Sequence, residues 1–412
     1  MLLRCLSRLR LSRSFASWRP RLDPLVADII ASSNDLKQIA PLSTQPATIN
    51  PASETSKVLL PPLDQWRKRF PPLVSVMNRV SVRNPQTARA MADAFVPDGS
   101  RDKVIVEAYP GPGQLTRALL DLPKERLKKL IVLEENENYL EYLQPLEALD
   151  PRVKILPVGG YNWNSYLMID EMQLLKDVAT MAWEDGVHPN LHFISHLPSS
   201  IEGEQLIAQF FRCIPDQQWL FKYGRTPMSF ILSDHLWKRI SAPLSASERC
   251  KLTVIAEATA GCDHAVLPEA LLPYELHFHP ARPSMSTSPE GRKHNSRRIG
   301  NPFQAINIVP HEEQAIKKGQ LDEWDFCLRR LFVQRATALR KALPSLAPGA
   351  QTLVKKVTDP NLPMLEQISP SKNVGSLTVH EWKIIIKAFH EWPFAPQDLS
   401  ITDTFTAKDS RI

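Results

Sequence analysis

Glycine is scarce in this chain, 14 of 412 residues, whereas proline reaches 36. The imbalance excludes long flexible glycine-rich linkers and predicts many rigid turns and connectors. No run of 18 or more apolar residues occurs, so neither a transmembrane helix nor membrane insertion is expected. The five cysteines (Cys5, Cys213, Cys250, Cys262 and Cys327) include no C-x-x-C pair and no Cys/His group at zinc-site spacing. A structural metal is therefore not expected, and the usage fits a reducing compartment. With 43% hydrophobic and 23% charged residues, the chain suits two or three globular domains rather than a small disulfide scaffold.

Acid is missing from one segment in particular. Residues 1–22 hold six arginines (Arg4, Arg8, Arg10, Arg13, Arg19 and Arg21) and no acidic residue before Asp23. Leu2, Leu3, Leu6, Leu9 and Leu11 would line one side of a helix between them, the composition of a mitochondrial transit peptide. The mitochondrial matrix is the expected location. The formal charge of +6 rests on this segment, because removing its arginines leaves 44 basic against 44 acidic residues. Any nucleic-acid surface must then be a local patch.

Residues 23–62, rich in Ser, Thr, Pro and Ala without periodicity, read as a linker. Val104 to Tyr109 form a short apolar run closed by Pro110-Gly111-Pro112-Gly113, after which Leu115, Ala118, Leu119 and Leu122 recur at helical spacing. This is a strand, a tight turn and a helix. Further strands are expected at Leu130–Leu133, Val153–Leu156, Leu191–Ile194 and Met228–Leu232, with helices at Leu206–Phe211 and Glu248–Ala260. The alternation predicts an α/β sheet of parallel strands over residues 63–310, interrupted by a polar basic loop at 281–300. Trp324, Phe326, Leu328, Leu331, Phe332 and Leu339 fit helices, as does Val379–Trp392, which gives a small C-terminal helical domain over 311–395 and a tail at 396–412.

A strand ending in Pro-Gly-x-Gly lets backbone approach a ligand closely, and the acid Glu134 at the end of the next strand can accept both hydroxyls of a ribose. Together they suggest a nucleoside-type pocket. The plainer alternative is a tight turn beside a solvated strand end.

Val104 to Leu120 (VIVEAYPGPGQLTRALL) resembles the first S-adenosylmethionine motif of the rRNA adenine N(6)-dimethyltransferase family. Val132-Leu133-Glu134-Glu135-Asn136, Ser195-His196-Leu197-Pro198-Ser199-Ser200 and Leu331 to Arg340 agree with further motifs in order, and the resemblance covers roughly residues 65–345. It implies a Rossmann-like methyltransferase domain with a helical C-terminal domain. It also implies an S-adenosylmethionine site involving Asn84, Glu107, Tyr109, Gly111, Gly113, Glu134, Gly159 and His196.

The departures from the family pattern bear on activity. The Asn-Leu-Pro-Tyr that holds and stacks the target adenine is here His196-Leu197-Pro198-Ser199, leaving no ring at Ser199. The first glycine of the loop is Tyr109, the acid expected after the third strand falls at Gly159-Gly160, and the Gln-Asn-Phe-Leu before the sheet is reduced to Arg83-Asn84-Pro85. This loss, with the transit peptide, resembles the mitochondrial transcription factor B branch, especially its fungal type. That resemblance implies a non-enzymatic initiation factor that contacts mitochondrial RNA polymerase, promoter DNA and its non-template strand. The alternative is an active dimethyltransferase acting on mitochondrial small-subunit rRNA. A mitochondrial RNA-binding assembly factor is a third reading.

Trp163 and Tyr166 would either stack unpaired bases or pack the core. Three basic clusters are candidate phosphate contacts: Arg67, Lys68, Arg69, Arg79, Arg83 and Arg89; then Arg329, Arg330, Arg335, Arg340 and Lys341; and, in the 281–300 loop, Arg282, Arg292, Lys293, Arg297 and Arg298. A solvated charged face is the alternative for each.

Overall fold

The computed structural model describes residues 59–281 and 300–399. The expected transit peptide at 1–22, most of the expected linker at 23–62, the basic segment with Arg297 and Arg298, and the end of the expected tail lie outside the described residues. Nine strands are described: β1 (Ser81–Val82), β2 (Lys103–Ala108), β3 (Leu127–Leu133), β4 (Val153–Leu156), β5 (Leu191–His196), β6 (Met228–Ser233), β7 (Ala260–Val266), β8 (Phe278–His279) and β9 (Phe303–Pro310). Seven of them form one sheet in the order β4-β3-β2-β5-β6-β9-β7, and β1 pairs with β8 in a separate two-stranded piece.

The central strands β4, β3, β2, β5 and β6 are mutually parallel, as the strand-helix alternation predicts. Their near-continuous apolar runs follow from burial on both faces. Val104, Val106 and Ala108 of β2 enter one core, whereas Ile105 enters the other. The expectation of an all-parallel sheet is corrected at one edge, where β9 runs antiparallel to both β6 and β7. Direction is not encoded in a strand's residue pattern, and β7, half exposed and carrying Asp263 and His264, shows no apolar alternation.

The first core also takes in the C-terminal helices. Helix Leu321–Phe332 buries Trp324, Cys327, Leu328 and Leu331, and Phe326 stacks on Phe389 and Phe332 on Trp382 of helix Val379–His390. Sheet and helices thus share one hydrophobic cluster. Helix Pro85–Phe95 was not anticipated, although its start is a standard signal: the Asn84 side chain accepts from the Gln86 and Thr87 amides, and Pro85 occupies the first helical position.

Candidate functional site

The site lies at the carboxyl ends of β2, β3 and β5. After Ala108 the backbone turns sharply, with Tyr109, Gly111 and Gly113 at φ of +60°, +63° and +88°. A tyrosine in this left-handed region costs on the order of 1–3 kcal/mol, so surrounding contacts must hold it. They are present: the Tyr109 ring is 6% exposed and the Arg79 guanidinium sits 4.6 Å from its centroid. Gly111 is required by close approach, since a Cβ there would meet Ser81 Oγ at 2.1 Å.

Arg79 is the centre of the arrangement. Its Nη1 and Nη2 donate to Oε1 and Oε2 of Glu134 at 3.2 and 2.6 Å, and both side chains are buried. Oε1 also accepts from the Glu135 and Asn136 amides at 3.1 and 3.0 Å, and Oε2 accepts from the Gly111 amide at 3.3 Å. Five donors therefore converge on a carboxylate with about four lone-pair sites. While Arg79 is in place, Glu134 has no acceptor left for a ribose hydroxyl. Burial is the largest single influence on Arg79 and disfavours its charge, but the attraction and hydrogen bonding of Glu134, with Tyr139 and Tyr109, together outweigh it and raise the guanidinium's pKa above its ordinary value.

The segment carrying Arg79 is strapped over the site from both ends. Upstream, Trp66 and Phe70 pack edge-on against His279, and Phe70 against Tyr139 and Tyr142. Downstream, β1 pairs with β8. Between them, the Asn78 carbonyl accepts from the Ser199 amide at 2.8 Å. Sequence reasoning placed Arg79 in a phosphate-binding cluster, and the structure corrects this. Its partner lies 55 residues away, so no local spacing pointed to the pair. Arg67, Lys68, Arg69 and Arg89 are exposed, as a surface cluster requires.

Glu107, on β2, is 1% exposed, with the Thr116 hydroxyl as its polar neighbour but no oxygen at full hydrogen-bond geometry among the described residues. Burial pushes its pKa up to about 8, with Thr116 acting in the opposite sense and the Glu134 charge adding to the rise. The carboxyl group is thus largely protonated at neutral pH. His196 is also buried, its ring edge-on to Phe278 and Phe303, its Nε2 unpartnered and its pKa pushed down to about 3 by desolvation and the Arg79 charge. It is a neutral core histidine. The Pro198 carbonyl sits where a Cβ on Gly203 would come within 2.1 Å, and Ser199 is 6% exposed beneath Asn78.

Gly159 leaves room for the Glu135 carboxylate, which a Cβ would meet at 2.3 Å. The Gly159 and Gly160 carbonyls accept from Ser165 Oγ at 2.7 Å and Tyr166 Oη at 2.8 Å. Tyr166 is therefore a core residue, and for it the base-stacking expectation is corrected to core packing; Trp163 is half-buried and packs on Tyr166, Phe210 and Trp219.

In the second basic cluster, Arg329, Arg330, Arg340 and Lys341 are exposed. Arg329 stands 3.8 Å from Asp325 and Arg330 lies over the Phe326 ring. Arg335 is half-buried and donates to the Ser247 and Ala246 carbonyls, which makes it a clamp on that loop rather than a free phosphate contact.

Among the described residues no helix is long and apolar enough to cross a membrane. Residues 82–387 match the family model for ribosomal RNA adenine dimethylase. Among curated relatives, the chain is 22% identical over 294 residues to "Mitochondrial transcription factor 1" of Lachancea kluyveri, covering 71% of this chain and 82% of that one. It is 25% identical over 208 residues to "Mitochondrial dimethyladenosine transferase 1" of Bos taurus, covering 48% and 58%. A dimethyladenosine transferase from Plasmodium falciparum, known by its crystal structure, superposes with a TM-score of 0.48 at 14% identity, covering 75% of this chain and 97% of that one. With the family model spanning most of its length, the chain belongs to the ribosomal RNA adenine dimethylase family.

Proposed function

We propose that the chain is a mitochondrial transcription initiation factor that binds DNA and the mitochondrial RNA polymerase and assists promoter melting, on a methyltransferase fold that no longer turns over. The observation that carries this reading is the Arg79–Glu134 pair. S-adenosylmethionine does not fit the residues present: the acid placed for its ribose is saturated by Arg79 and backbone amides, and the buried Tyr109 ring with the Arg79 guanidinium 4.6 Å over it stands at the loop. At the base position, the buried neutral His196 and the covered Ser199 supply neither a stacking ring nor an amide. The relative named mitochondrial transcription factor 1 supports the positive half of the proposal. The arginine-rich, acid-free residues 1–22 support the matrix as its location. Exposed Arg329, Arg330, Arg340 and Lys341 offer a sequence-independent phosphate surface.

The second reading, a dimethyltransferase acting on mitochondrial small-subunit rRNA, is favoured by the buried Glu107 carboxyl and the retained Gly111 and Gly113. Run-off transcription separates the two. On a linear duplex promoter, specific transcripts from the mitochondrial polymerase should require this chain, and the requirement should fall away on a pre-melted template. Methyl incorporation into small-subunit rRNA, with no effect on transcription, would establish the second reading instead.

A further inference from the structure

Lys251 opens helix Lys251–Thr259, which packs on helices Ile201–Cys213, Asp234–Ile240, Leu321–Phe332 and Val379–His390. A cation is poorly placed there, since a helix N-terminus carries partial positive charge and this first turn holds no acid. The Lys251 Nζ donates to Oδ1 of the buried Asp325 at 3.0 Å. Through Oδ2 the same carboxylate pairs with Arg212, and Arg329 stands 3.8 Å from it. Three cations thus compete for one acid. The other acids nearby are engaged elsewhere. Glu204 binds Arg239, Glu257 binds Arg249 and Glu248 accepts from the Ser247 hydroxyl, while Asp216 and Asp322 act on Arg212. The side chains that helix Val379–His390 buries are all apolar. Burial, with the Arg212 and Arg329 charges, pushes the Lys251 pKa down to about 8, Cys250 acting in the opposite sense. The Lys251 side chain is nonetheless 34% exposed, so reagents in solution reach the amine.

We propose that Lys251 is an acylation site, taking its acyl group from a thioester on a phosphate-bearing carrier of the coenzyme A class. A lysine desolvated beside other cations supplies the neutral amine that such a step needs. The Nζ lone pair forms a bond to the thioester carbonyl carbon and the carbon–sulfur bond breaks. Sulfur leaves as thiolate and takes up the proton shed by nitrogen, so the products are an amide on Lys251 and a free thiol. Arg212 and the exposed Arg329 together carry more donors than Asp325 can accept, and guanidinium groups bind the phosphates of such a carrier. The product amide removes one of the three positive charges. Asp325 keeps both arginines, so the seam between the helices stays paired.

The test is incubation of the full chain with isotopically labelled acetyl-coenzyme A over a range of pH, with each lysine's occupancy followed by peptide mass spectrometry. Near neutral pH, Lys251 should acylate on the order of tenfold faster than the exposed Lys383 and Lys387. Its rate should level off above a pH of about 8, whereas theirs keep rising towards the ordinary lysine pKa of about 10.4. The thioester of N-acetylcysteamine, which carries no phosphate, should show a smaller preference for Lys251. Arg329→Gln should slow the reaction of Lys251 with acetyl-coenzyme A and leave Lys383 and Lys387 unaffected, thermal melting showing that the variant folds. Equal rates at the three lysines, or a Lys251 rate that climbs with theirs without levelling, would overturn the site. An undiminished preference with the phosphate-free thioester would overturn the choice of carrier.

Discussion

Replacing Arg79 with methionine keeps most of the side-chain volume and removes the charge that Glu134 faces. The Glu134 side chain is fully buried and would retain only the three amide donors of Gly111, Glu135 and Asn136. Removing one partner of a buried pair strands the other charge and typically costs about 3–5 kcal/mol. The cation over the Tyr109 ring, which helps hold a left-handed tyrosine, goes with it. With about 2.1 cal/mol/K of unfolding entropy per residue over about 320 ordered residues, this corresponds to a fall in Tm of roughly 4–7 °C. Urea denaturation of Arg79→Met, Glu134→Gln and the double variant forms a cycle. The double variant should recover much of the loss, with a coupling on the order of 2 kcal/mol or more, because no buried charge remains unpaired. An Arg79→Met cost below about 1 kcal/mol, the level of a surface pair, would refute the claim that this arginine is the keystone of the site.

Three other outcomes follow from particular residues. Glu107 is held protonated in the native state up to a pKa of about 8, so the folded protein binds a proton that the unfolded chain has released, and stability falls as pH rises from the usual carboxylate range towards 8. Glu107→Gln should flatten that decline and gain on the order of a few kcal/mol at pH 8 by urea denaturation. His192 and His196, both pushed down to about 3 by burial, are neutral when folded. Their contribution is present above the ordinary histidine pKa and lost as pH falls towards 3, so His192→Gln/His196→Gln should make acid unfolding less steep. In the second basic cluster, Arg340→Glu/Lys341→Glu should weaken DNA binding and its salt dependence with stability little changed. Arg335→Ala, by contrast, should cost about 1–3 kcal/mol in denaturation through its lost loop contacts.

Much of this architecture was legible in the sequence, and what was not has physical reasons. The runs Val104–Ala108 and Leu130–Leu133 are apolar on both faces because central parallel strands are covered on both, and Pro110-Gly111-Pro112-Gly113 punctuates the first of them. The antiparallel β9 and the polar edge β7 were hidden because neither direction nor edge pairing leaves a periodic trace. At the site, the substitutions at Tyr109, His196 and Ser199 could be read one by one. What fills the space could not, since Arg79 reaches Glu134 across 55 residues and within the sequence looks like one more member of a basic run. Charge patterns do not distinguish the buried Arg79 or the clamping Arg335 from exposed neighbours such as Arg69 and Arg340. Trp163 and Tyr166 posed the same problem for aromatics: the Gly160 carbonyl draws the Tyr166 hydroxyl inward, and Phe210 packs against the half-buried Trp163 ring.

The most direct measurement is a calorimetric titration of S-adenosylmethionine into the purified chain lacking residues 1–22. With Glu134 saturated by Arg79 and Tyr109 beside the loop, no binding heat is expected at any concentration up to the millimolar range. Micromolar binding, followed by methyl transfer to small-subunit rRNA, would contradict the closed site and return the chain to the enzymes of its family.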